Sequence, residues 1–388
     1  MMNRIKYGRQ DISEDDIASV VKVLRSDLLT QGPMVPAFER SVSHYCKAKY
    51  AVAVNSATSA LHIAYKALDL KNDDLLWTSA NTFVATANAA IMCGAKVDFL
   101  DIDPKTYNIC VDKLEKKLID AKEINMLPKI VVPVFMCGQS CDMKRIKELS
   151  KEYNFKIVED ASHGIGGAYK NHKIGSANFA DITVLSFHPV KIITTGEGGM
   201  ALTNNKLIFE KMQRLRSHGI TGDQKLFTKR DSSEIWNYQQ IELGNNYRMT
   251  DIQAALGISQ LKRVDEFVLK RNKIAKRYNN LLEDLNVTVP LVSDDCYSSF
   301  HLYVIRLNKK GIKTSQKNLY NKLTESGIQV NLHYIPVHRQ PYYESLGFRE
   351  GYCPEAEKYH KDALTIPLHP LLSDEEINFI SGKLYEFL

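Results

Sequence analysis

The sequence has few of the features that would place it in a specialised class of protein. It holds no apolar stretch near the ~20 residues that a membrane span requires. Its first residues, Met1 to Lys6, carry basic side chains without the apolar segment of a secretory signal. Its seven cysteines show no disulfide framework, and no Cys/His pair follows Cys137 and Cys141 at a metal-ligand spacing. We therefore expect reduced thiols, a cytoplasmic location and no metal site.

Charge of one sign is not concentrated anywhere along the chain. Lys and Arg together number 51 and Asp and Glu 45, which gives a formal net charge of +6. A basic stripe or patch is the sequence signature of a protein that binds nucleic acid or a membrane surface. Because the charges are interspersed, the sequence predicts neither of these partners.

The hydrophobic pattern indicates two domains in the 388 residues. Short apolar strands alternate with amphipathic helices through the first part of the chain, which is typical of a mostly parallel sheet covered by helices on both faces. From Thr250 to about Leu282 the pattern predicts one long helical stretch, broken or bent somewhere. We predict an α/β fold with a large domain over residues 1–254 and a smaller α+β domain over residues 255–388.

Ligands of open α/β sheets bind beyond the carboxyl ends of the strands, so the segments after the predicted strands contain the candidate site. After the strand at 51–54, Ser56, Ala57 and Thr58 open a helix. Free N–H groups and hydroxyls at a helix start suit a phosphate group. The same residues also fit an ordinary serine cap.

Two further strand ends carry a carboxylate and an amine. Asp160 follows the strand at 155–158, and Lys191 follows the strand at 182–187 among apolar and β-branched neighbours. A lysine drawn into such surroundings has a lowered pKa and can act as a nucleophile, although most lysines are solvated and a loop carboxylate is ordinary. Together with the anion site, they match the needs of pyridoxal phosphate, which requires a phosphate cradle, a carboxylate for its ring nitrogen and an amine for its aldehyde.

Eight segments then occur in a familiar order along nearly the whole chain. They are residues 27–33 (DLLTQGP), 55–62 (NSATSALH), 82–88 (TFVATAN), 159–163 (EDASH), 186–191 (SFHPVK), 196–199 (GEGG), 246–251 (NYRMTD) and 333–336 (HYIP). In these segments the sequence resembles the DegT/StrS-type family of nucleotide-sugar aminotransferases, which are pyridoxal phosphate enzymes of fold type I. The resemblance implies a large cofactor-binding domain followed by a smaller C-terminal domain.

The resemblance also implies which residues meet the cofactor ring. Lys191 is then the catalytic lysine that bonds the cofactor's aldehyde, and Asp160 pairs with the ring nitrogen. Phe83 and His163 lie against the two faces of the ring, and His163 joins Lys191 and Asp160 in the catalytic set.

Phosphate and substrate contacts follow from the same resemblance. Ala57, Thr58 and Ser186 hold the phosphate of pyridoxal phosphate, and Asn246 reaches in from the partner subunit of a homodimer. Arg248 is assigned to substrate binding: it either assists at the cofactor's phosphate or binds the carboxylate of the amino donor. His333 and Tyr334 are the other substrate-binding residues and lie near the sugar nucleotide.

The implied reaction is transfer of an amino group from glutamate to a UDP-linked 4-keto-6-deoxy-N-acetyl hexose. The form of the 186–199 region favours UDP-2-acetamido-2,6-dideoxy-β-L-arabino-hexos-4-ulose, a sugar of pseudaminic acid synthesis. Alternatives are a GDP- or dTDP-linked 4-keto sugar, the D-sugar of bacillosamine synthesis, and a non-catalytic regulator that binds pyridoxal phosphate. A family dehydratase is disfavoured because such enzymes carry histidine where this chain has Lys191.

Overall fold

The computed structural model describes residues 4–228, 234, 236–308 and 314–388. The helices are α1 (Glu14–Leu24), α2 (Met34–Cys46), α3 (Ala57–Ala67), α4 (Ala85–Met92), α5 (Val111–Glu123), α6 (Met143–Tyr153), α7 (Lys206–Arg216), α8 (Asp251–Leu261), α9 (Val264–Leu281), α10 (Gln316–Glu325), α11 (Pro341–Ser345), α12 (Pro354–Asp362) and α13 (Asp374–Phe387). No helix in these ranges combines the length and the apolarity needed to cross a lipid bilayer.

The strands are mostly short. They are β1 (Tyr50–Val54), β2 (Leu75–Ser79), β3 (Lys96–Leu100), β4 (Ile130–Val132), β5 (Lys156–Asp160), β6 (Ala168–Tyr169), β7 (His172–Lys173), β8 (Ile182–Ser186), β9 (Gly199–Thr203), β10 (Ile220–Thr221), β11 (Gln239–Gln240), β12 (Val287–Thr288), β13 (Cys296–Tyr297), β14 (Tyr303–Leu307) and β15 (Ala363–Ile366).

Seven of these strands form the central sheet, in the order β1-β9-β8-β5-β4-β2-β3. Only β9 runs against its neighbours β1 and β8, and the remaining pairs are parallel. The strands are buried on both faces, which is why they read as nearly continuous apolar runs. The predicted mostly parallel sheet is thus confirmed.

Helices cover both faces of the sheet because successive side chains of a strand point to opposite sides. On one face Val158 packs into the cluster that includes Ala60 of α3 and Ala89 of α4. On the other face Ile157 packs into the cluster that includes Phe38 of α2 and Ile146 of α6. The two clusters are the core of the large lobe.

The long helical stretch predicted from Thr250 is broken between α8 and α9 at Lys262 and Arg263. Thr250 caps α8, accepting from the amide of Gln253 in a reciprocal capping box. At the break, the Arg263 guanidinium pairs with Asp11 at 3.1 Å and Asp16 at 2.7 Å. These ion pairs fix the turn between α8 and α9 to the N-terminal segment.

The smaller lobe has its own core between α9, α10, α13 and the sheet β12-β14-β15. The N-terminal segment also joins this lobe, because the Ile5 amide donates to the Gly327 carbonyl at 2.9 Å and Ile5 bridges Ile328. The predicted boundary at residue 255 lies within α8, which packs on α1 and α2 of the large lobe. The boundary itself stays a prediction.

Candidate active site

A cavity of about 950 Å³ opens at the carboxyl ends of β1, β5 and β8, between the two lobes. This is the edge of the sheet where ligands of α/β folds bind. The cavity brings together most of the site residues predicted from the sequence. Those that line it are Ala57, Thr58, Phe83, Asp160, His163, Ser186, Lys191, His333 and Tyr334.

The start of α3 forms the anion-binding side of the cavity. The Ser56 hydroxyl caps the helix by accepting from the amide of Ser59 at 3.1 Å. The amides of Ala57 and Thr58 open the helix and therefore have no intrahelical acceptor. At Gly199 of β9, a Cβ atom would lie 2.5 Å from the Ala57 nitrogen, so only glycine lets this strand pass so close. Ser186 at the end of β8 lines the same cavity, and a helix start beside a hydroxyl suits a phosphate group.

Asp160 ends β5 and is buried, with 5% of its surface exposed. Its Oδ2 atom accepts from the Thr86 hydroxyl at 2.7 Å. Its Oδ1 atom accepts from the hydroxyl and the amide of Ser162, at 2.6 Å and 3.2 Å. These donors hold both oxygens of the carboxylate in place. The structure therefore presents an oriented carboxylate to the cavity.

Lys191 lies in the turn after β8, where its amide donates to the His188 carbonyl at 2.9 Å. The residue keeps part of its surface open to the cavity, yet protein atoms crowd around the side chain. Burial lowers the pKa of its amine from 10.5 to about 8, and the charge of Asp160 opposes this shift. Roughly a tenth of the amine is therefore neutral and nucleophilic at pH 7, far more than for a lysine of ordinary pKa.

A wall of uncharged side chains, made of His163, His301, His333 and Tyr334, borders the cavity. The ring centroids of His163 and His301 are 4.3 Å apart, and Nε2 of His163 lies 3.3 Å from the Tyr334 hydroxyl. Nδ1 of His333 lies 2.8 Å from the Thr365 hydroxyl. Burial, reinforced by the charge of Lys191, lowers the pKa of His163 well below its usual value and that of His333 to about 3. These rings are neutral at physiological pH.

Phe83 stands at the rim of the cavity with 57% of its surface exposed, and its ring centroid lies 5.9 Å from that of Tyr334. Two other predicted residues lie outside this chain's own cavity lining. Asn246 is exposed and bridges Ser217, and Arg248 is half-buried two residues further along the same segment. The family resemblance implies that Asn246 lies in the site of a partner subunit, which stays a prediction.

Several cavity residues were not predicted. Thr86 lies four residues after Thr82 in the 82–88 segment, and this helical spacing was the available signal. His301, before β14, and Tyr7, in the N-terminal segment, also line the cavity. Neither has a local pattern that links it to the site, because only the folding of distant segments brings them there.

Comparison with known proteins agrees with this geometry. The model of the DegT/DnrJ/EryC1/StrS aminotransferase family matches residues 10–385, so the chain belongs to this family. A UDP-4-amino-4,6-dideoxy-N-acetyl-beta-L-altrosamine transaminase of Campylobacter jejuni is 38% identical over 385 residues, which cover 99% of this chain and 97% of the relative. The GDP-perosamine synthase of Caulobacter vibrioides is 34% identical over 92% of this chain and 91% of its own.

Solved structures show the same fold. PseC of Helicobacter pylori, an aminotransferase involved in the biosynthesis of pseudoaminic acid, superposes with a TM-score of 0.89 at 31% identity over 99% of both chains. The PLP-form of the putative sugar aminotransferase Spr1654 of Streptococcus pneumoniae gives 0.87 at 29% identity, over 99% of this chain and all of the other. The predicted family and fold type I are thus confirmed.

The protein is a sugar aminotransferase whose cofactor is pyridoxal phosphate. The residues of the cavity fit this group, because a phosphate cradle, a carboxylate with both oxygens held and an amine of lowered pKa face the same space.

Proposed function

We propose that the protein transfers an amino group from glutamate to the 4-keto carbon of a UDP-linked 4-keto-6-deoxy-N-acetyl hexose, the L-arabino sugar named above. The observation that carries the proposal is the meeting of Lys191, with a pKa of about 8, and Asp160 in one cavity wide enough for a sugar. The product, a 4-amino sugar, suits synthesis of pseudaminic acid-type surface glycans.

Lys191 is proposed as the residue that bonds the cofactor and then serves as the general base. Its neutral amine would move a proton from the Cα atom of the amino donor to C4′ of the cofactor. In the second half of the cycle it would move a proton from C4′ to C4 of the sugar. Bound pyridoxal phosphate supplies the electron sink that makes these proton transfers possible. A positioned base of this kind contributes roughly 10² to 10⁴-fold to the rate.

The other cavity residues bind and orient. Asp160 holds the ring nitrogen, and His163 and Phe83 flank the two ring faces. Ala57, Thr58 and Ser186 hold the phosphate at the start of α3, where the helix dipole favours an anion. This last set completes the part of the proposed cofactor site that one chain supplies.

The wall of His163, His301, His333 and Tyr334 supports a sugar as the amino acceptor. Neutral ring nitrogens and a hydroxyl suit the hydroxyl and acetamido groups of such a ring. Among the described residues that line the cavity, Lys191 is the only lysine or arginine. The charges of a nucleotide's phosphates therefore find their partners outside this lining. Arg248 is proposed to assist at the cofactor's phosphate or to bind the carboxylate of the amino donor.

We also propose that two subunits share each site. Asn246 is exposed and Arg248 is half-buried, both outside the cavity of their own chain, and large apolar side chains nearby are exposed, including Leu243 at 73% and Leu28 at 51%. Exposed apolar surface of this kind favours a protein interface. Sedimentation should show a homodimer, and a fully active monomer would refute the role of Asn246.

The unpaired cysteines of the described chain support the proposal that the enzyme works in a reducing compartment, the cytoplasm.

A panel of 4-keto sugars tests the proposed substrate. The UDP-linked L-arabino sugar, its D-sugar isomer, and GDP- and dTDP-linked 4-keto sugars are each incubated with glutamate. We expect the L-arabino sugar to give the highest kcat/KM. The rate is measured by the release of 2-oxoglutarate, and NMR identifies the amino sugar. Faster turnover of any other sugar contradicts the assignment.

A second experiment locates the covalent link. Borohydride reduction of the yellow holoenzyme should leave the cofactor on the peptide that contains Lys191, as read by mass spectrometry. Lys191→Ala, which lacks the amine, is the matched control. After reduction, no peptide of this variant should carry covalently attached cofactor. An unmodified Lys191 peptide from active, reduced enzyme would exclude the mechanism.

A further inference from the structure

Two buried threonine hydroxyls form a chain of hydrogen bonds that ends at Asp160. The Thr86 hydroxyl lies 2.7 Å from Oδ2 of Asp160, and the Thr82 hydroxyl lies 2.8 Å from the Thr86 hydroxyl. Both threonines are almost completely buried, since 1% of the surface of Thr82 and 0% of that of Thr86 is exposed. Thr82 precedes α4 and Thr86 lies in its first turn, so one short segment supplies both groups.

The chemistry of the groups fixes the direction of these hydrogen bonds. An ionised carboxylate only accepts, so the Thr86 hydroxyl donates its hydrogen to Asp160. The Thr86 oxygen is then left to accept, and the Thr82 hydroxyl donates to it. Both hydroxyls therefore point their hydrogens toward the carboxylate and stabilise its negative charge.

Other contacts hold Thr86 itself in place. Its carbonyl accepts from the hydroxyl of the buried Tyr65 at 3.0 Å, and its amide donates to the Phe83 carbonyl at 3.2 Å. Asp160 receives its remaining donors on Oδ1 from Ser162, which belongs to the loop after β5. Thr86 thus holds one oxygen of the carboxylate from α4, while the other is held from its own strand end.

We propose that Thr86 is a positioning residue for transamination, and that Thr82 orients it. The Thr86 hydroxyl fixes the orientation of the Asp160 carboxylate, so that the ring nitrogen of pyridoxal phosphate keeps its proton. The inference rests on the proposed role of Asp160 as the partner of that nitrogen. Hydrogen bonds from a hydroxyl to an ionised carboxylate are stronger than neutral ones, which is why a single hydroxyl matters here.

The test replaces the hydroxyl with a methyl group of the same size, in Thr86→Val. We expect the amino-donor half-reaction, measured in a single turnover, to slow at least tenfold. With cofactor labelled with ¹⁵N at the ring nitrogen, we expect the ¹⁵N chemical shift to move from the protonated toward the neutral value. Thr86→Ser keeps the hydroxyl and should keep the wild-type rate and ¹⁵N shift. Thr82→Val should change the rate and the ¹⁵N shift in the same direction as Thr86→Val, but by less.

The matched control is Thr183→Val. The Thr183 hydroxyl of β8 donates to Oε2 of Glu159, the neighbour of Asp160 in β5, at 2.6 Å. The substitution therefore removes a threonine–carboxylate hydrogen bond that is equally buried. Glu159 faces the opposite side of the sheet from Asp160. We expect the control to leave the half-reaction rate and the ¹⁵N shift at their wild-type values.

Two outcomes overturn the inference: a Thr86→Val enzyme with the wild-type rate and ¹⁵N shift, or an equal loss in Thr86→Val and Thr183→Val. If Thr86→Val does not fold, Thr82→Val decides by the same ¹⁵N measurement, and an unchanged shift overturns the inference. A wild-type enzyme whose cofactor is not attached to Lys191 is a different failure, because it overturns the proposed function first and this inference with it.

Discussion

Two carboxylates stand side by side at the end of β5 and have different surroundings. Glu159 and Asp160 are each 5% exposed, and each accepts from a threonine hydroxyl, Thr183 at 2.6 Å and Thr86 at 2.7 Å. Glu159 faces the side of the sheet covered by α2 and α6, and burial raises its pKa from 4.5 to about 7. Asp160 faces the cavity that also holds Lys191.

The comparison shows that burial and a threonine partner do not by themselves make a carboxylate part of an active site. The strand period of two sends neighbouring side chains to opposite faces, and only one face of β5 ends at the cavity. We therefore expect Asp160 to act on the cofactor and Glu159 to affect only stability. The following predictions test this division.

The largest expected effect is on turnover. Asp160→Asn should lower kcat by about 10³-fold, because the charge that keeps the ring nitrogen protonated is lost from a preorganised site. Some cofactor should still bind, as measured by absorbance of the purified enzyme. Glu159→Gln is the paired control and should keep the wild-type kcat. A comparable loss in both variants would mean that the two acids are not functionally distinct.

The next effect is on the pH dependence of stability. Between pH 4.5 and 7 the folded protein holds a proton on Glu159 that the unfolded chain has released, so Glu159 destabilises the fold as pH rises through this window. Glu159→Gln removes this dependence. The variant should match the wild type below pH 4.5 and exceed it by about 3 kcal/mol above pH 7.

Urea unfolding of the two apoproteins at a series of pH values measures this difference. A gap that stays constant across the pH series would show that Glu159 does not titrate in the window.

A smaller effect follows from the donor to Glu159. Thr183→Val should cost about 1 kcal/mol of stability at low pH, where Glu159 is neutral, and about 2 kcal/mol above pH 7, where it is ionised. Thr78→Val is the matched control, because the Thr78 hydroxyl donates to the Val132 carbonyl at 3.0 Å and its cost should not vary with pH. Equal pH profiles for the two variants would contradict the pairing.

The smallest expected effect is on the pH at which the Lys191 amine becomes reactive. Asp160 faces this amine across the cavity, whereas Glu159 does not. In the apoprotein, labelling of Lys191 by an amine reagent should have its midpoint near pH 8. Asp160 opposes the effect of burial, so Asp160→Asn should move the midpoint down by about one pH unit, whereas Glu159→Gln should leave it in place. Mass spectrometry of the Lys191 peptide gives the extent of labelling, and a midpoint that Asp160→Asn does not move would contradict the coupling.

Much of the fold and of the cavity lining could be predicted from the sequence. The sheet followed from short apolar runs alternating with helical ones, and the strand-end rule led to Asp160 and Lys191. The predicted phosphate residues Ala57, Thr58 and Ser186 do line the cavity. These predictions work because strand ends and helix starts are local features that the topology then brings to one edge.

Other features could not be predicted in this way. A break in the long helical stretch was expected, but its position was not: it lies where Arg263 pairs with Asp11 and Asp16, about 250 residues away in sequence. His301 and Tyr7 reach the cavity only because the small lobe and the N-terminal segment fold over it. No periodicity within a short window records contacts of this kind.

The amino-acid order by itself determined the alternation of strands and helices, the family motifs and the chemistry available at each strand end, because each depends on neighbouring residues along the chain. Only the tertiary structure decided that Thr86 holds Asp160, that Glu159 turns away from it, and that Lys191 lies where burial lowers the pKa of its amine. The reason is physical: hydrogen-bond partners and desolvation are set by distances in space, and segments far apart in sequence supply them.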